Sequence, residues 1–448
     1  MAKISFKEAC KKIESYILSN WELTGSDGII GSSTAGLDVQ KRAIIGYDKD
    51  VEMLTNEIVF AIDQIGISSG FEFPDWYVSE QDALFHEIWG KAGLIEWWRE
   101  PYSMSSSAKI IGENIFFMID GAMKLMPQKL SKERRDQLIR GFLLLTPEER
   151  LDKDFHEIYL LDGCRVTVFK GEMTKEENDV IIFRRYVIPE YTFEEQACRN
   201  SIPENSIPLL KSMVDIGYNV AFCGSVRSAK TTFLATWQSY ENPKLEGVLI
   251  ETDPEIPIHK LIPNAPIVQL IADGDRLNMI SKNLLRSDAD YFIIAEARDG
   301  IALDTAVRVA RKGSGRMKMT FHTRNPLNFP EDVAVEIVRS KGGEIGETAL
   351  RVASSFDYIF YFAPVSLSGR KILKGIYEMG LINEKKKGTA KRSYYINEIC
   401  RYSYQDDDWI WTNKISDDKR FYGEENDAKA FELFEQRLKK LVSESLRK

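Results

Sequence analysis

The chain has 448 residues, 44% of them hydrophobic and 29% charged, and a net charge of −8. That length suggests two to four domains at roughly 150 residues each, and the composition is that of a globular protein able to bury a sizeable core. The acidic balance disfavours nucleic-acid binding through a global positive field, and the five scattered cysteines contain no CxxC pair, which argues for a reducing compartment and against a disulfide framework or zinc cluster.

The opening MAKISFKEACKK lacks the apolar core of a signal peptide, and no apolar run approaches membrane-spanning length. Membrane contact is therefore expected only through a partner or a surface. Ser5 with Glu8 forms a capping box, followed by Phe6, Cys10, Ile13 and Ile17 at helical spacing. Thr24 to Asp38, rich in Gly, Ser and Thr, reads as a loop or hinge. Val51, Leu54, Ile58, Ala61, Ile62 and Ile65 predict a second long helix, and the tryptophans Trp76, Trp89, Trp97 and Trp98 read as core or interface. Residues 1–100 are expected to form a helical N-terminal domain.

From Ala108 the texture becomes β-rich, with a hairpin turn at Asp120-Gly121 and a second turn at Asp162-Gly163. A charged helix is expected around Ser131 to Leu145, and Arg165 to Phe169 and Val180 to Tyr186 read as strands. This defines an α/β domain over residues 101–200, with Pro189 to Asn205 as its linker. Over residues 201–380 helix and strand alternate, with strand candidates at Asn219 to Cys223, Gly247 to Glu251, Tyr291 to Ala295, Lys318 to Phe321 and Tyr358 to Phe362, several of them continuous apolar runs. Strands buried on both faces read this way and imply a parallel sheet. Residues 381–448 add a basic loop (Lys385, Lys386, Lys387, Lys391, Arg392), a strand-like WIWTNKI and a terminal amphipathic helix using Ala430, Leu433, Phe434, Leu438 and Leu441.

The chemistry centres on Tyr218 to Thr232, YNVAFCGSVRSAKTT. A buried strand, a tight loop and a helix start are what a phosphate-binding loop needs, because loop N–H groups and the positive end of the helix dipole converge on phosphate oxygens. Gly224, Ser225, Val226, Arg227, Ser228, Ala229, Lys230, Thr231 and Thr232 would line it, with Lys230 on the β- and γ-phosphates and the Thr231 hydroxyl on Mg²⁺. The motif asks for glycine where Ala229 stands. If that residue has helical φ/ψ the alanine costs little; if φ is positive it strains the loop.

Three further sites end strands: Glu251 to Glu255 (ETDPE), Glu296 in FIIAEAR, and His322 in MTFHT. Phosphoanhydride hydrolysis needs positioned water, metal and compensating charge, which carboxylates and a polar sensor supply. Singly, a carboxylate after a strand reads equally as a helix cap and a lone histidine as a structural residue. Their ordered occurrence after a phosphate loop is the informative feature.

Residues from about Ser107 to Tyr377 resemble the secretion ATPases, the hexameric motors of type II and type IV secretion and of pilus assembly, with the closest likeness to the type IV secretion and tight-adherence branch. The likeness rests on IETDPEIPI (Glu251 and Glu255), NLLRSDADYFIIAEARDGIALD (Arg286, Asp290, Glu296, Arg298, Leu303-Asp304), KGSGRMKMTFHTRNP (His322), and upstream LLDGCRVTVF and IIFRRY. The resemblance makes Arg165, Arg184 and Arg185 candidates for arginines that reach the phosphates. It implies an α/β fold with a RecA-like P-loop NTPase core and an α/β sensor domain before it, the helical residues 1–100 being additional. Departures are Ala229 and Ala295 in place of glycines, Ser314 in place of a histidine, and Thr252 where an Asp is usual, with Asp253 shifted by one.

The reading that follows is a hexameric ATPase using ATP and Mg²⁺, cytoplasmic and peripheral to the inner face of the cell membrane. It would energise a secretion, conjugation or pilus machine through an inner-membrane platform protein, without direct nucleic-acid contact. Catalytic roles fall to Glu296, Glu255, His322, Arg165, Arg184 and Arg185, and the metal to Thr231 and Glu296. The alternatives are a degenerate, non-hydrolysing nucleotide-binding assembly subunit and, more weakly, a DNA-translocating ATPase.

Overall fold

In a computed structural model of the chain, which describes residues 4–23, 33–67, 70–145, 154–175, 178–185, 191–252, 255–312, 315–365, 370–386 and 389–447, Ser5 caps the first helix by accepting the Glu8 N–H at 3.3 Å. The chain divides into two compact units, Met1–Val187 and Ile188–Lys448. No helix among the described residues is long and apolar enough to cross a membrane.

The first unit opens with α1 (Phe6–Leu23), α2 (Ser33–Ile45), α3 (Asp48–Ile65) and α4 (Glu80–Ile88). Ile13, Ile17, Leu54, Ile58, Leu84 and Trp89 close its helical core. The stretch expected to be a loop is helical over its second half, where α2 buries Val39 and Ala43 on one face; its first half, residues 24–32, lies outside the described residues. Trp89 and Trp97 are buried, and the Trp97 indole N–H donates to the Ser105 hydroxyl at 2.9 Å. The sheet that follows uses β1 (Ser107–Ile111), β2 (Asn114–Ile119), β3 (Ala122–Lys129), then α5 (Lys132–Phe142), β4 (Phe155–Tyr159), β5 (Arg165–Phe169) and β6 (Val180–Arg184). Its order is β3-β2-β1-β6-β5-β4, antiparallel throughout. Asp120 and Gly121 turn β2 into β3 with positive φ at both positions, 52° and 81°. Leu138 and Phe142 of α5 pack with Phe117, Phe183 and Val166 of the sheet.

The second unit begins earlier than its first parallel strand. Thr192 and Glu195 form a reciprocal capping box on α6 (Phe193–Cys198), and Phe193, fully buried, stacks on Tyr240 with centroids 4.5 Å apart. Over its described part, therefore, the expected linker is a packed element of this unit. There follow α7 (Ile207–Ile216), β7 (Val220–Gly224), α8 (Lys230–Ser239), β8 (Gly247–Glu251), α9 (Ile258–Leu261), β9 (Ile267–Ile271), α10 (Gly274–Leu284), β10 (Tyr291–Ala295), α11 (Gly300–Ala310), β11 (Lys318–Phe321), α12 (Phe329–Lys341), α13 (Ile345–Ala353), β12 (Tyr358–Pro364), β13 (Lys371–Lys386), β14 (Thr389–Ser403), β15 (Asp408–Trp411) and α14 (Asp417–Ser445).

The sheet runs β15-β14-β13-β12-β7-β11-β10-β8-β9. From β12 to β9 neighbours are parallel, and β13, β14 and β15 extend it antiparallel. All five residues of β7, β8 and β10 are buried, as expected where helices cover both faces of a parallel sheet. The basic segment expected to be a loop instead lies on a long hairpin: Lys385 and Lys386 end β13, and Lys391 and Arg392 belong to β14. Three strands, β9, β13 and β14, lie outside the expected set.

Helix α8 is fixed by an aromatic cluster. Phe222, Phe233, Trp237, Phe360 and Phe362 meet with ring centroids between 4.8 and 6.5 Å. Burying each such side chain contributes about 1.5–3 kcal/mol, and the pairing geometry adds about 0.5–1.5 kcal/mol per pair. The helix is thereby held against β7 and β12, so the loop between β7 and α8 has a fixed origin and a fixed exit.

Candidate functional site

The loop leaves β7 at Gly224, whose φ is 147° and whose added Cβ would lie 2.1 Å from the Phe362 carbonyl oxygen. Only glycine fits so close an approach of two strands. The loop then turns through Arg227 at φ 60° and Ala229 at φ 75°, ψ 21°. Ala229 thus sits in the left-handed region, where an alanine strains the loop. A non-glycine residue held there costs about 1–3 kcal/mol. Ala295, the other alanine at a family glycine position, ends β10 without positive φ; the left-handed residue there is Glu296, at φ 54°.

As N-cap of α8, Ala229 provides no side-chain acceptor, so the first N–H groups of that helix have neither an intrahelical partner nor a side-chain cap. The Ser228 hydroxyl is buried and without a partner. Uncapped donors at the positive end of a helix dipole, beside an orphaned hydroxyl, fit a phosphate group.

Around this cradle the structure brings together five of the expected residues. The Lys230 ammonium donates to the Ser225 carbonyl at 2.8 Å and lies 3.3 Å from Nδ1 of His322. Burial lowers its pKa from 10.5 to about 8, against the opposing pull of Cys223, Glu296 and Glu255. The Thr231 hydroxyl lies 3.4 Å from a carboxylate oxygen of Glu255. Glu296 accepts from Arg298 at 2.6 Å and stands 3.9 Å from Nε2 of His322. Burial raises the Glu296 carboxyl, but hydrogen bonds with His322, Arg298 and Glu255 outweigh it and hold the pKa down to about 2.

The strand order explains the meeting. β11, which leads into His322, lies between β7, which leads into the phosphate loop, and β10, which leads into Glu296. This is the RecA-type arrangement, and it places all three groups beyond the carboxyl ends of adjacent parallel strands, where such sheets bind ligands.

Glu251 has a different position from that of Glu255. Buried at the end of β8, one of its oxygens accepts the N–H groups of Glu255 at 3.0 Å and Ile256 at 2.9 Å. It holds the backbone of Glu255 and Ile256 in place. Arg298, which the motif includes, is the cation on Glu296; one contributor is absent from the motif, Thr320, whose hydroxyl accepts the Glu296 N–H at 2.7 Å. The residue two before His322 on an inner strand, being a hydroxyl among apolar residues, is the signal that would have found Thr320. Asp304, 5% exposed, accepts from Lys341 at 2.8 Å and Arg351 at 3.3 Å and so ties α11 to α12 and α13. Asp253 and Ser314 lie outside the described residues.

The three arginines of the first unit differ in their surroundings. Arg165 pairs with Glu157 across β4 and β5. Arg185 donates to the carbonyls of Ser105 at 2.8 Å and Trp97 at 2.6 Å, donates also to that of Tyr102, and lies over the Trp97 ring. Arg184, at the end of β6, is exposed.

No protein-family model matches the chain, and no curated protein sequence does. Solved structures similar to it include the VirB11 ATPase from the Brucella suis type IV secretion system, 16% identical, covering 64% of this chain and 92% of that one with a TM-score of 0.34. The Legionella pneumophila ATPase DotB is 16% identical, covering 79% of this chain and 88% of its own, with a TM-score of 0.46. The pilus retraction motor PilT with bound ADP is 14% identical, covering 76% and 89% respectively, again at 0.46.

Proposed function

We propose that this chain is an ATP-hydrolysing motor that assembles as a homo-hexamer and energises a secretion, conjugation or pilus machine at the cytoplasmic membrane. The observation that carries the reading is the convergence of Lys230, Thr231, Glu255, Glu296 and His322 on one phosphate-loop cradle. The motor works from the cytoplasm against an inner-membrane platform protein, without direct nucleic-acid contact, as the resemblance of its motifs implies.

Loop N–H groups and Lys230 bind the β- and γ-phosphates. Thr231 and Glu296 are the residues that would hold Mg²⁺, an ion that neutralises charge on the phosphate oxygens when bound. Glu296, ionised down to about pH 2, and Glu255 orient the attacking water. His322, within reach of both Lys230 and Glu296, senses whether the γ-phosphate is present. Arg165, Arg184 and Arg185 are the arginines that would be recruited to transition-state charge, a contribution worth roughly 10³–10⁵ in rate; of the three, Arg184 is exposed.

The strained Ala229 favours a second reading, a nucleotide-stabilised assembly subunit that binds ATP without turning it over. Nucleotide binding and phosphate release measured on the full chain separate the two. The motor reading expects Lys230→Ala to lose binding, and Glu296→Gln to keep binding while losing release. Tight binding with no release by the unaltered chain, at any oligomeric state, contradicts it.

A further inference from the structure

Beyond the phosphate loop, the second unit carries a cavity of 530 Å³ that nothing in the catalytic scheme uses. Its volume is within the range of small-molecule sites, roughly 300–1,000 Å³. The segment leaving β11 forms one wall through Arg324. Tyr361 of β12, Lys374 and Tyr377 of β13 and Glu398 of β14 form others, and Lys414, in the segment after β15, completes the lining on that side. The cavity is thus built largely by the antiparallel extension of the sheet, the same strands that depart from the expected core.

Its charge is unbalanced. Three cations line it against one carboxylate, and that carboxylate, Glu398, is already paired with Arg401 at 3.3 Å. Among the described residues no carboxylate pairs with Arg324, Lys374 or Lys414, and the Lys374 ammonium rests over the Tyr404 ring, 5.4 Å from its centroid. Two tyrosine rings face the same space. The Tyr361 hydroxyl is taken up by the Arg324 carbonyl at 2.7 Å, which fixes that wall. Cations in one lining, none of them held by a carboxylate among the described residues, favour an anion, and aromatic walls favour a flat apolar body.

We propose that this cavity binds a small ligand carrying a phosphate on an aromatic or heteroaromatic ring, the phosphate held by Arg324, Lys374 and Lys414 and the ring lying against Tyr361 and Tyr377. The site is separate from the ATP cradle but shares a chain segment with it, since Arg324 follows His322 by two residues. A ligand drawing on Arg324 therefore acts on the segment that positions the γ-phosphate sensor.

The test is calorimetric titration of phenyl phosphate into the full chain with Mg-ADP saturating the phosphate loop. The expected result is one binding event per chain. It weakens at least tenfold in the Arg324→Gln, Lys414→Gln double variant, and tightens in Glu398→Gln, which removes the one carboxylate of the lining and releases Arg401 from it. Lys230→Ala, titrated without nucleotide, keeps the event. Absence of heat at millimolar ligand, unchanged affinity in the double variant with its melting temperature intact, or loss of the event in Lys230→Ala would each overturn the proposal. Inorganic phosphate binding as tightly as phenyl phosphate overturns the aromatic part. The readout is binding, so absence of ATP turnover would count against the motor and leave this site standing.

Discussion

Two alanines stand at glycine positions of the family pattern, and the structure predicts opposite outcomes when glycine is restored. Ala229 is left-handed at φ 75°, whereas Ala295 is a strand end outside the positive-φ residues. Placing an L side chain in the left-handed region costs about 1–2 kcal/mol, and glycine there returns that energy less about 0.4–1 kcal/mol of added freedom in the unfolded chain. Ala229→Gly is therefore expected to stabilise its unit by about 0.5–1 kcal/mol, a rise of a few degrees in melting temperature for a unit of this size. Ala295→Gly has no strain to relieve and is expected to lose about 0.5–1 kcal/mol. Calorimetric melting is the assay, read on the transition that added ATP moves, because ligand binding shifts only the unit that binds it. Ala229→Val provides a third point, lower than the natural chain, since a β-branched residue fits the left-handed region worse still. Equal losses in both glycine variants would refute the reasoning, because they would mean that residue 229 is an ordinary helix-start residue.

Other expectations follow from the same geometry. With its pKa at about 8, Lys230 is partly neutral before phosphate arrives. Nucleotide binding should then take up about half a proton per site at pH 8 and about a tenth of one at pH 7, seen as a dependence of binding heat on buffer ionisation. Because the folded pKa lies below the unfolded 10.5, the nucleotide-free fold should gain stability between pH 8 and 10.5 while nucleotide affinity falls. Trp237→Ala, removing a side chain 1% exposed at the centre of the cluster under α8, should cost about 3–5 kcal/mol in denaturant unfolding. Glu241→Ala leaves Lys318, itself 1% exposed, without the carboxylate that holds its ammonium at 2.5 Å, and should cost about 3–5 kcal/mol. A loss under 1 kcal/mol in either variant would show that the packing described for it is not what holds the sheet.

The parts legible in the sequence are those where local pattern and burial agree. β7, β8, β10, β11 and β12 are mostly apolar and buried at nearly every position, and the chemical residues lie at or just after the ends of four of them. Where the agreement fails, legibility fails. β9, an edge strand with Val268 and Ile271 more than half exposed, carries no burial pattern to mark it. Helix α2 begins in Ser, Thr and Gly, residues that favour turns, and its buried Val39, Ala43, Ile44 and Ile45 come later. The long hairpin is hidden by Gly375 and Gly380, which read as breaks. Each instead makes room for a tyrosine ring: an added Cβ would come within 2.7 Å of the Tyr377 ring at one and 2.5 Å of the Tyr395 hydroxyl at the other. Within the site, Lys230, Glu296 and His322 are legible because strand ends converge, whereas the left-handed backbone at Ala229 and the hold of Glu251 on the Glu255 and Ile256 N–H groups depend on φ angles and hydrogen bonds that no motif spacing encodes.

The measurement that bears most directly on the central claim is steady-state phosphate release by the full chain across a protein dilution series, with mass determined at each concentration by light scattering. The motor account predicts release per chain that rises as the hexamer forms and disappears in both Lys230→Ala and Glu296→Gln. Release that stays at the level of those variants once the hexamer is complete would contradict it.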